Sequence, residues 1–106
     1  MRTSYVYLFG SAAYGWCKVG MSDQPMRRYK NLYNNLPFPI SIWDVRRVPS
    51  RRHAAKLETK LHRSFAECRA NGEWFYYRSF DIEKYLKLVK RYENAFEGAN
   101  PLKEYS

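Results

Sequence analysis

The sequence has no long hydrophobic run and few cysteine, histidine and glycine residues. No apolar run approaches the roughly 18 to 20 residues that span a bilayer, and the first residues lack a targeting pattern. We therefore expect an intracellular, cytoplasmic protein without a membrane partner. Cys17 and Cys68 are too few for a disulfide framework, and two histidines do not complete a structural zinc quartet with them. Gly10, Gly15 and Gly20 lack the spacing of a dinucleotide or Walker phosphate loop, which argues against those nucleotide folds.

Acidic residues are scarce relative to basic ones. The 106 residues include 19 Lys and Arg against 10 Asp and Glu, a formal net charge of +9. Residues 1–69 hold thirteen of the basic and four of the acidic side chains, whereas residues 70–106 hold six of each. This uneven positive charge predicts a polyanionic partner, the alternative being a soluble protein that is merely basic.

Length and apolar content predict one folded domain. Hydrophobic residues make up 45% of the chain and aromatic residues 18%, enough to build a core, and no repeat or linker divides the sequence. We expect a single domain over residues 1–97 and a frayed tail over residues 98–106, where Gly, Asn and Pro occur close together.

The hydrophobic pattern predicts strands and helices without regular strand-helix-strand alternation. Strands are predicted over residues 4–9, 16–19 and 40–48, with residues 73–77 as a candidate edge strand. Three helices are predicted from their caps and apolar stripes. They are a basic helix capped by Ser22 or Asp23, a helix from Arg51 to about Arg69 capped by Ser50, and a last helix capped by Asp81 and ending near Gly98. This order favours an α+β fold, with a small, mainly antiparallel sheet of about three strands flanked by helices.

Short motifs in the first two-thirds of the chain follow a recognisable order. Ten residues separate the first tripeptide from the second, and an arginine follows the second tripeptide by eight residues. The motifs are Tyr5-Val6-Tyr7, Lys18-Val19-Gly20, Arg28 and Glu58. Their order resembles that of the GIY-YIG nuclease family, although Tyr5 stands where the family has Gly and Lys18 where it has Tyr. The later set Glu58, His62 and Glu73-Trp74-Phe75 is similar to a phage-associated branch with a Lys-Val-Gly second motif and a terminal Trp-Phe pair.

The resemblance implies a small DNA endonuclease that depends on a divalent metal, Mg²⁺ or Mn²⁺, and cuts with an activated water to leave a 5′ phosphate and a 3′ hydroxyl. The catalytic residues it implies are Tyr7, Lys18, Arg28, Glu58 and His62. Glu58 is the expected metal ligand, and a single carboxylate completed by water suits Mg²⁺. Arg28 is expected to hold the scissile phosphate through its fork of donors, and Gly20 to let the chain approach that phosphate.

Several of these residues have a second interpretation. The resemblance favours Lys18 as general base with Tyr7 as its partner or alternate, but a charged Lys18 would only clamp phosphate. Glu58 would otherwise pair with a nearby cation on the helix surface. His62 either relays a proton or is satisfied in the core. Gly20 would otherwise be an ordinary turn residue.

The basic residues outside these motifs predict contacts with the DNA backbone that do not read sequence. The candidates are Arg27, Lys30, Arg46, Arg47, Arg51, Arg52 and Lys56. Trp74 and Phe75 would stack on a base or pack in the core. With no separate specificity domain in the sequence, we expect weak selectivity or recruitment by another protein. The alternative function is a non-catalytic module of the same fold that binds DNA or a protein, acting as a phage or host regulator.

Overall fold

The computed structural model describes residues 3–95 as an α+β fold. Its strands are β1 (Ser4–Ser11), β2 (Trp16–Ser22), β3 (Ser41–Val48), β4 (Arg69–Asn71) and β5 (Trp74–Tyr76). Its helices are α1 (Pro25–Asn35), α2 (Arg51–Ser64) and α3 (Ile82–Val89), with short 3-10 turns at Ala66–Cys68 and Tyr77–Ser79. The predicted fold class is therefore confirmed. The predicted tail at 98–106 lies outside the described residues.

One antiparallel sheet joins the five strands in the order β3-β1-β2-β5-β4. The prediction of about three strands was too low, because residues 69–71 form a strand too short to show an apolar pattern. This strand, β4, is the edge of the sheet, and β5, the candidate edge strand, is paired on both sides. Gly72, with φ of 56°, supplies the left-handed residue of the tight turn between them.

Both faces of the sheet are covered. On one face Val6, Leu8 and Val19 pack against α2 and α3. On the other face Tyr7 and Phe9 pack against α1 and the segment that follows it. Because side chains alternate along a strand, the even-numbered residues of β1 face α2 and the odd-numbered ones face α1.

Capping residues fix where α2 and α3 begin. The side chains of Ser50 and Asp81 accept hydrogen bonds from the backbone N–H groups of His53 and Lys84, as predicted. Neither Ser22 nor Asp23 caps α1, whose N-cap is Gln24 without a side-chain bond.

Two helices are shorter than their patterns predict. α2 ends at Ser64 rather than near residue 69, because Phe65 leaves the helical conformation and buries its ring in the core. α3 ends at Val89 rather than near residue 98, and Tyr92 follows half-buried outside the helix.

A bulge in β3 breaks its predicted alternation. Leu8 pairs with Asp44 but Phe9 pairs with Ile42, so Trp43 is an extra residue in the ladder. Trp43 therefore packs in the α2 core, while Val45 packs in the core beneath α1.

Two further features concern the cysteines and the helices. Cys17 and Cys68 are buried free thiols, as predicted. Over residues 3–95, no helix is both long enough and apolar enough to cross a membrane.

Candidate active site

The β1-β2 hairpin brings three of the predicted residues to the face covered by α1. Its register pairs Tyr7 with Gly20 and Phe9 with Lys18, and directly paired residues share a face. The buried ring of Tyr7 stacks on Phe9 with centroids 4.0 Å apart. The first two motifs therefore meet in space because the strands that hold them are neighbours.

Gly20 gives two polar groups room beside the strand. A Cβ atom at this position would overlap the Tyr7 hydroxyl and lie 2.8 Å from Glu73 Oε1. Because real Cβ atoms essentially never approach that closely, any larger residue must displace one of these groups. Gly20 therefore lets the side chains of Tyr7 and Glu73 lie close to the backbone of β2.

Arg28, on the exposed side of α1, hydrogen-bonds the Tyr7 hydroxyl. Burial raises the pKa of Tyr7 to about 12, although the bond and charge of Arg28 act in the opposite direction. Tyr7 is therefore a neutral phenol at neutral pH that helps to orient a guanidinium. Arg27, the neighbouring alternative, is exposed and lines a groove with Tyr5 and Asp23.

Lys18 is buried beside a carboxylate for which the motifs predicted no chemical role. Its Nζ donates a hydrogen bond to Glu73 Oε1 at 3.0 Å and lies 5.6 Å from the Trp74 ring centroid. The Lys18 side chain is only 6% exposed and that of Glu73 35%, so the pair faces solvent mainly through the carboxylate. The backbone N–H of Val19 donates to the Glu73 carbonyl at 3.1 Å, which fixes Glu73 next to β2.

Helix α2 contributes Glu58 and His62 from the opposite side of β2. Burial of Leu57 and Leu61 against the sheet turns these two polar residues toward the end of that strand. His62 Nε2 lies 2.9 Å from the Val19 carbonyl oxygen. Because a carbonyl only accepts, Nε2 carries the proton of this hydrogen bond.

The electrostatics place Glu58 in the same site. Burial raises its pKa, and the negative charge of Glu73 raises it further, while His62 and Lys18 act in the opposite direction. Glu58 also acts on Tyr7 through its charge. The structure thus brings Tyr7, Lys18, Arg28, Glu58 and His62 together, and adds Glu73 to them.

These side chains fit a magnesium ion held mainly by water. Within the described part of the chain, no group of three or more His, Cys, Asp and Glu side chains is arranged to hold a metal. Mg²⁺ is typically bound through one or two carboxylates and keeps several waters. Glu58, whose ionised form is disfavoured by burial and by Glu73, is a carboxylate that a cation would stabilise. The carboxylate of Glu73, which pairs with Lys18 and acts on the pKa of Glu58, is the second candidate ligand.

The predicted DNA-backbone residues divide into exposed and engaged groups. Arg27, Lys30, Arg51, Arg52 and Lys56 are exposed. The last two line a shallow groove on the outer face of α2 together with Lys60 and Arg63.

Arg46 is not available to DNA, which corrects that expectation. Its Nε donates to the buried Asp44 at 2.9 Å and its Nη1 to the Tyr92 carbonyl at 2.9 Å, and its side chain is 13% exposed. Burial raises the pKa of Asp44, and Arg46 offsets this effect. Arg47 is about half exposed but pairs with Glu93 at 3.4 Å.

The terminal aromatic pair also divides. Phe75 is fully buried in the core against Phe65 and Phe80, so of its two interpretations core packing is correct and it cannot stack on a base. Trp74 is half-buried and turns to the α1 face, beside Lys18.

These charged groups lie beside β2 in the five-stranded antiparallel sheet. The chain belongs to the T5orf172 domain family, whose domain matches residues 4–92. This family is phage-associated and related to nucleases, which makes DNA a plausible partner. Comparisons with curated proteins and with solved structures found no match to the chain.

Proposed function

We propose that this protein is a small DNA endonuclease that requires a divalent metal and hydrolyses a phosphodiester bond with an activated water. The observation that carries the proposal is the cluster of Lys18, Glu73 and the Tyr7 hydroxyl beside Gly20 of β2, with Arg28 and Glu58 in electrostatic interaction with it. Phosphoryl transfer needs cationic groups at the phosphate and carboxylates for metal and proton, and this cluster offers both.

In this proposal Arg28 binds the scissile phosphate. Its side chain is exposed to a ligand, and it acts on the Tyr7 hydroxyl through hydrogen bonding and charge. Arg28 can then donate paired hydrogen bonds to phosphate oxygens and stabilise the charge that develops on them. Tyr7 acts as the positioning residue, because losing its proton at pH 7 from a pKa of about 12 would cost about 7 kcal/mol.

The Lys18–Glu73 pair supplies the proton acceptor. Lys18 becomes a base only after passing a proton along its 3.0 Å hydrogen bond to Glu73. Glu58 would hold Mg²⁺, which when bound would supply activation of a water and neutralisation of phosphate charge. The Nε2–H group of His62 donates its hydrogen bond to the Val19 carbonyl oxygen. Its Nδ1 atom is therefore left to orient a water.

The outcome of one assay separates this proposal from a non-catalytic DNA-binding module. Purified protein is incubated with supercoiled plasmid and either Mg²⁺ or EDTA, and the products are treated with DNA ligase. We expect nicked circles with Mg²⁺ alone, which ligase reseals because the ends are a 5′ phosphate and a 3′ hydroxyl. Salt-sensitive binding without any nicking, across a broad pH range and with Mn²⁺ as well, would select the non-catalytic module.

A further inference from the structure

Five aromatic side chains form two neighbouring groups of rings on and beside the α1 face of the sheet, next to Lys18. We call these residues the aromatic strip: Tyr14, Trp16, Phe38, Trp74 and Tyr76. Cross-strand pairing places Trp16 beside Tyr76 and Lys18 beside Trp74 on neighbouring positions of β2 and β5. The strip is therefore fixed to the sheet at one end of the candidate active site.

The rings of the strip contact each other in two chains. Tyr14 stacks on Phe38 with centroids 5.3 Å apart, and Phe38 meets the edge of Trp74 at 6.1 Å. Trp16 stacks on Tyr76 at 5.2 Å. These contacts hold the rings in place before any ligand arrives, which reduces the entropy lost on binding.

The strip keeps large aromatic faces in solvent. Tyr14 is 57% exposed and Tyr76 51% exposed, and they account for two of the four large hydrophobic residues that are exposed in residues 3–95. Scattered single exposed hydrophobic residues are ordinary, but a contiguous exposed patch marks an interaction surface. This patch adjoins Lys18 of the candidate active site, 5.6 Å from the Trp74 ring centroid, on a chain with a net charge of +9.

We propose that the aromatic strip binds unpaired bases of single-stranded DNA beside the phosphate held by Arg28. Aromatic platforms next to a positive track are the usual means of binding single strands without reading sequence. Bases within a duplex have both faces covered by their neighbours, so the strip selects single-stranded, flapped or branched DNA. The location of the strip beside the cut rests on the proposed nuclease function, whereas base stacking itself does not.

The test compares two ligands that differ only in their bases. A labelled oligothymidylate and an abasic oligomer of the same length are titrated with the full protein in EDTA, and fluorescence anisotropy gives the two dissociation constants. Because stacking contributes roughly 1 to 3 kcal/mol per base, we expect the oligothymidylate to bind at least about tenfold more tightly. Equal affinities for the two oligomers would overturn the proposal and leave the strip to another partner, such as a protein.

Matched variants assign the effect to the strip. Tyr14→Ala and Tyr76→Ala should each weaken oligothymidylate binding about tenfold without changing abasic binding, and Tyr76→Phe should restore it. Tyr33→Ala, which removes a tyrosine that is 49% exposed on α1 outside the strip, should have no effect. Unchanged oligothymidylate affinity in Tyr14→Ala and Tyr76→Ala, with the fold intact by circular dichroism, would overturn the proposal.

The result is independent of cleavage because EDTA removes the metal. Base-dependent binding by a protein that never nicks DNA would refute the nuclease function and leave the strip's role standing. Nicking by a protein whose binding does not depend on the bases would support the nuclease function and refute the proposed role of the strip.

Discussion

The ammonium group of Lys18 donates a 3.0 Å hydrogen bond to the carboxylate of Glu73, across the junction of β2 and β5. The Lys18 side chain is almost fully buried, and its ammonium group forms an ion pair with Glu73. Replacing either residue therefore leaves the other without its ionic partner. The charges of Glu73 and Lys18 both act on the pKa of Glu58, and the charge of Glu73 also acts on the pKa of Tyr7. The pair is therefore coupled electrostatically to both residues.

Replacing one proton carrier of the pair should stop cleavage without stopping binding. Glu73→Gln keeps the shape of the side chain but cannot take the proton of Lys18, and Lys18→Arg keeps the charge but cannot lose it. We expect each variant to cleave about 10² to 10⁴ times more slowly, the usual contribution of a general base. Glu83→Gln, an exposed glutamate on α3, is the control. Wild-type cleavage by Lys18→Arg would show that Lys18 is a phosphate clamp.

The raised pKa of Glu58 predicts a stability that depends on pH. Protonated Glu58 stabilises the folded state fully below the ordinary value of 4.5, and this stability is lost as the pH rises through the raised pKa. Glu58→Gln should therefore melt at a higher temperature than wild type at neutral pH, and the difference should shrink in acid. Mg²⁺ should raise the melting temperature of wild type but not of the variant. A variant less stable than wild type at neutral pH, or equal shifts with Mg²⁺, would contradict this assignment.

Gly20→Ala should damage both the fold and the site. The added Cβ would overlap the Tyr7 hydroxyl and crowd Glu73, at a cost of about 1 to 3 kcal/mol for overpacking a well-packed region. Gly15→Ala is the informative comparison, because Gly15 has φ of 77° and no atom lies within 4 Å of the position that a Cβ would take. We expect Gly15→Ala to lose about 1 to 2 kcal/mol to backbone strain alone and to keep full cleavage. Urea unfolding and plasmid nicking measure the two effects, and full activity in Gly20→Ala would refute the packing argument.

Arg46→Ala should lower the free energy of unfolding strongly, whereas Arg47→Ala should change it little. Removing Arg46 leaves the Asp44 carboxylate, which is 1% exposed, without its cation, a change that typically costs about 3 to 5 kcal/mol. Arg47 and Glu93 form an exposed pair, worth at most about 1 kcal/mol. Chemical denaturation of the two variants measures the difference, and equal losses of stability would be inconsistent with a buried Asp44–Arg46 pair.

Much of the framework could be predicted because it depends on local pattern. The hairpin, the stripe of Leu57 and Leu61, and the caps at Ser50 and Asp81 each arise from residues close in sequence. The spacing of the motifs then placed Tyr7 opposite Gly20 once the strands paired.

The features that the sequence did not reveal depend on long-range pairing. β4 spans three residues and is defined by its partner β5, and Glu73 gains its role from a lysine 55 residues earlier in the chain. The engagement of Arg46 depends on the burial of its partner Asp44 and on the carbonyl of Tyr92, which lies 46 residues further along the chain. None of these relationships has a periodic signal in the chain.

The most direct test of the central claim is plasmid nicking by three proteins purified in parallel. Wild type, Glu58→Gln and Glu67→Gln, which changes an exposed glutamate outside the site, are compared with Mg²⁺ present. The proposed site predicts equal nicking by wild type and Glu67→Gln, and none above background by Glu58→Gln. Nicking by Glu58→Gln at the wild-type rate would contradict the proposed role of Glu58 and the nuclease function that depends on it.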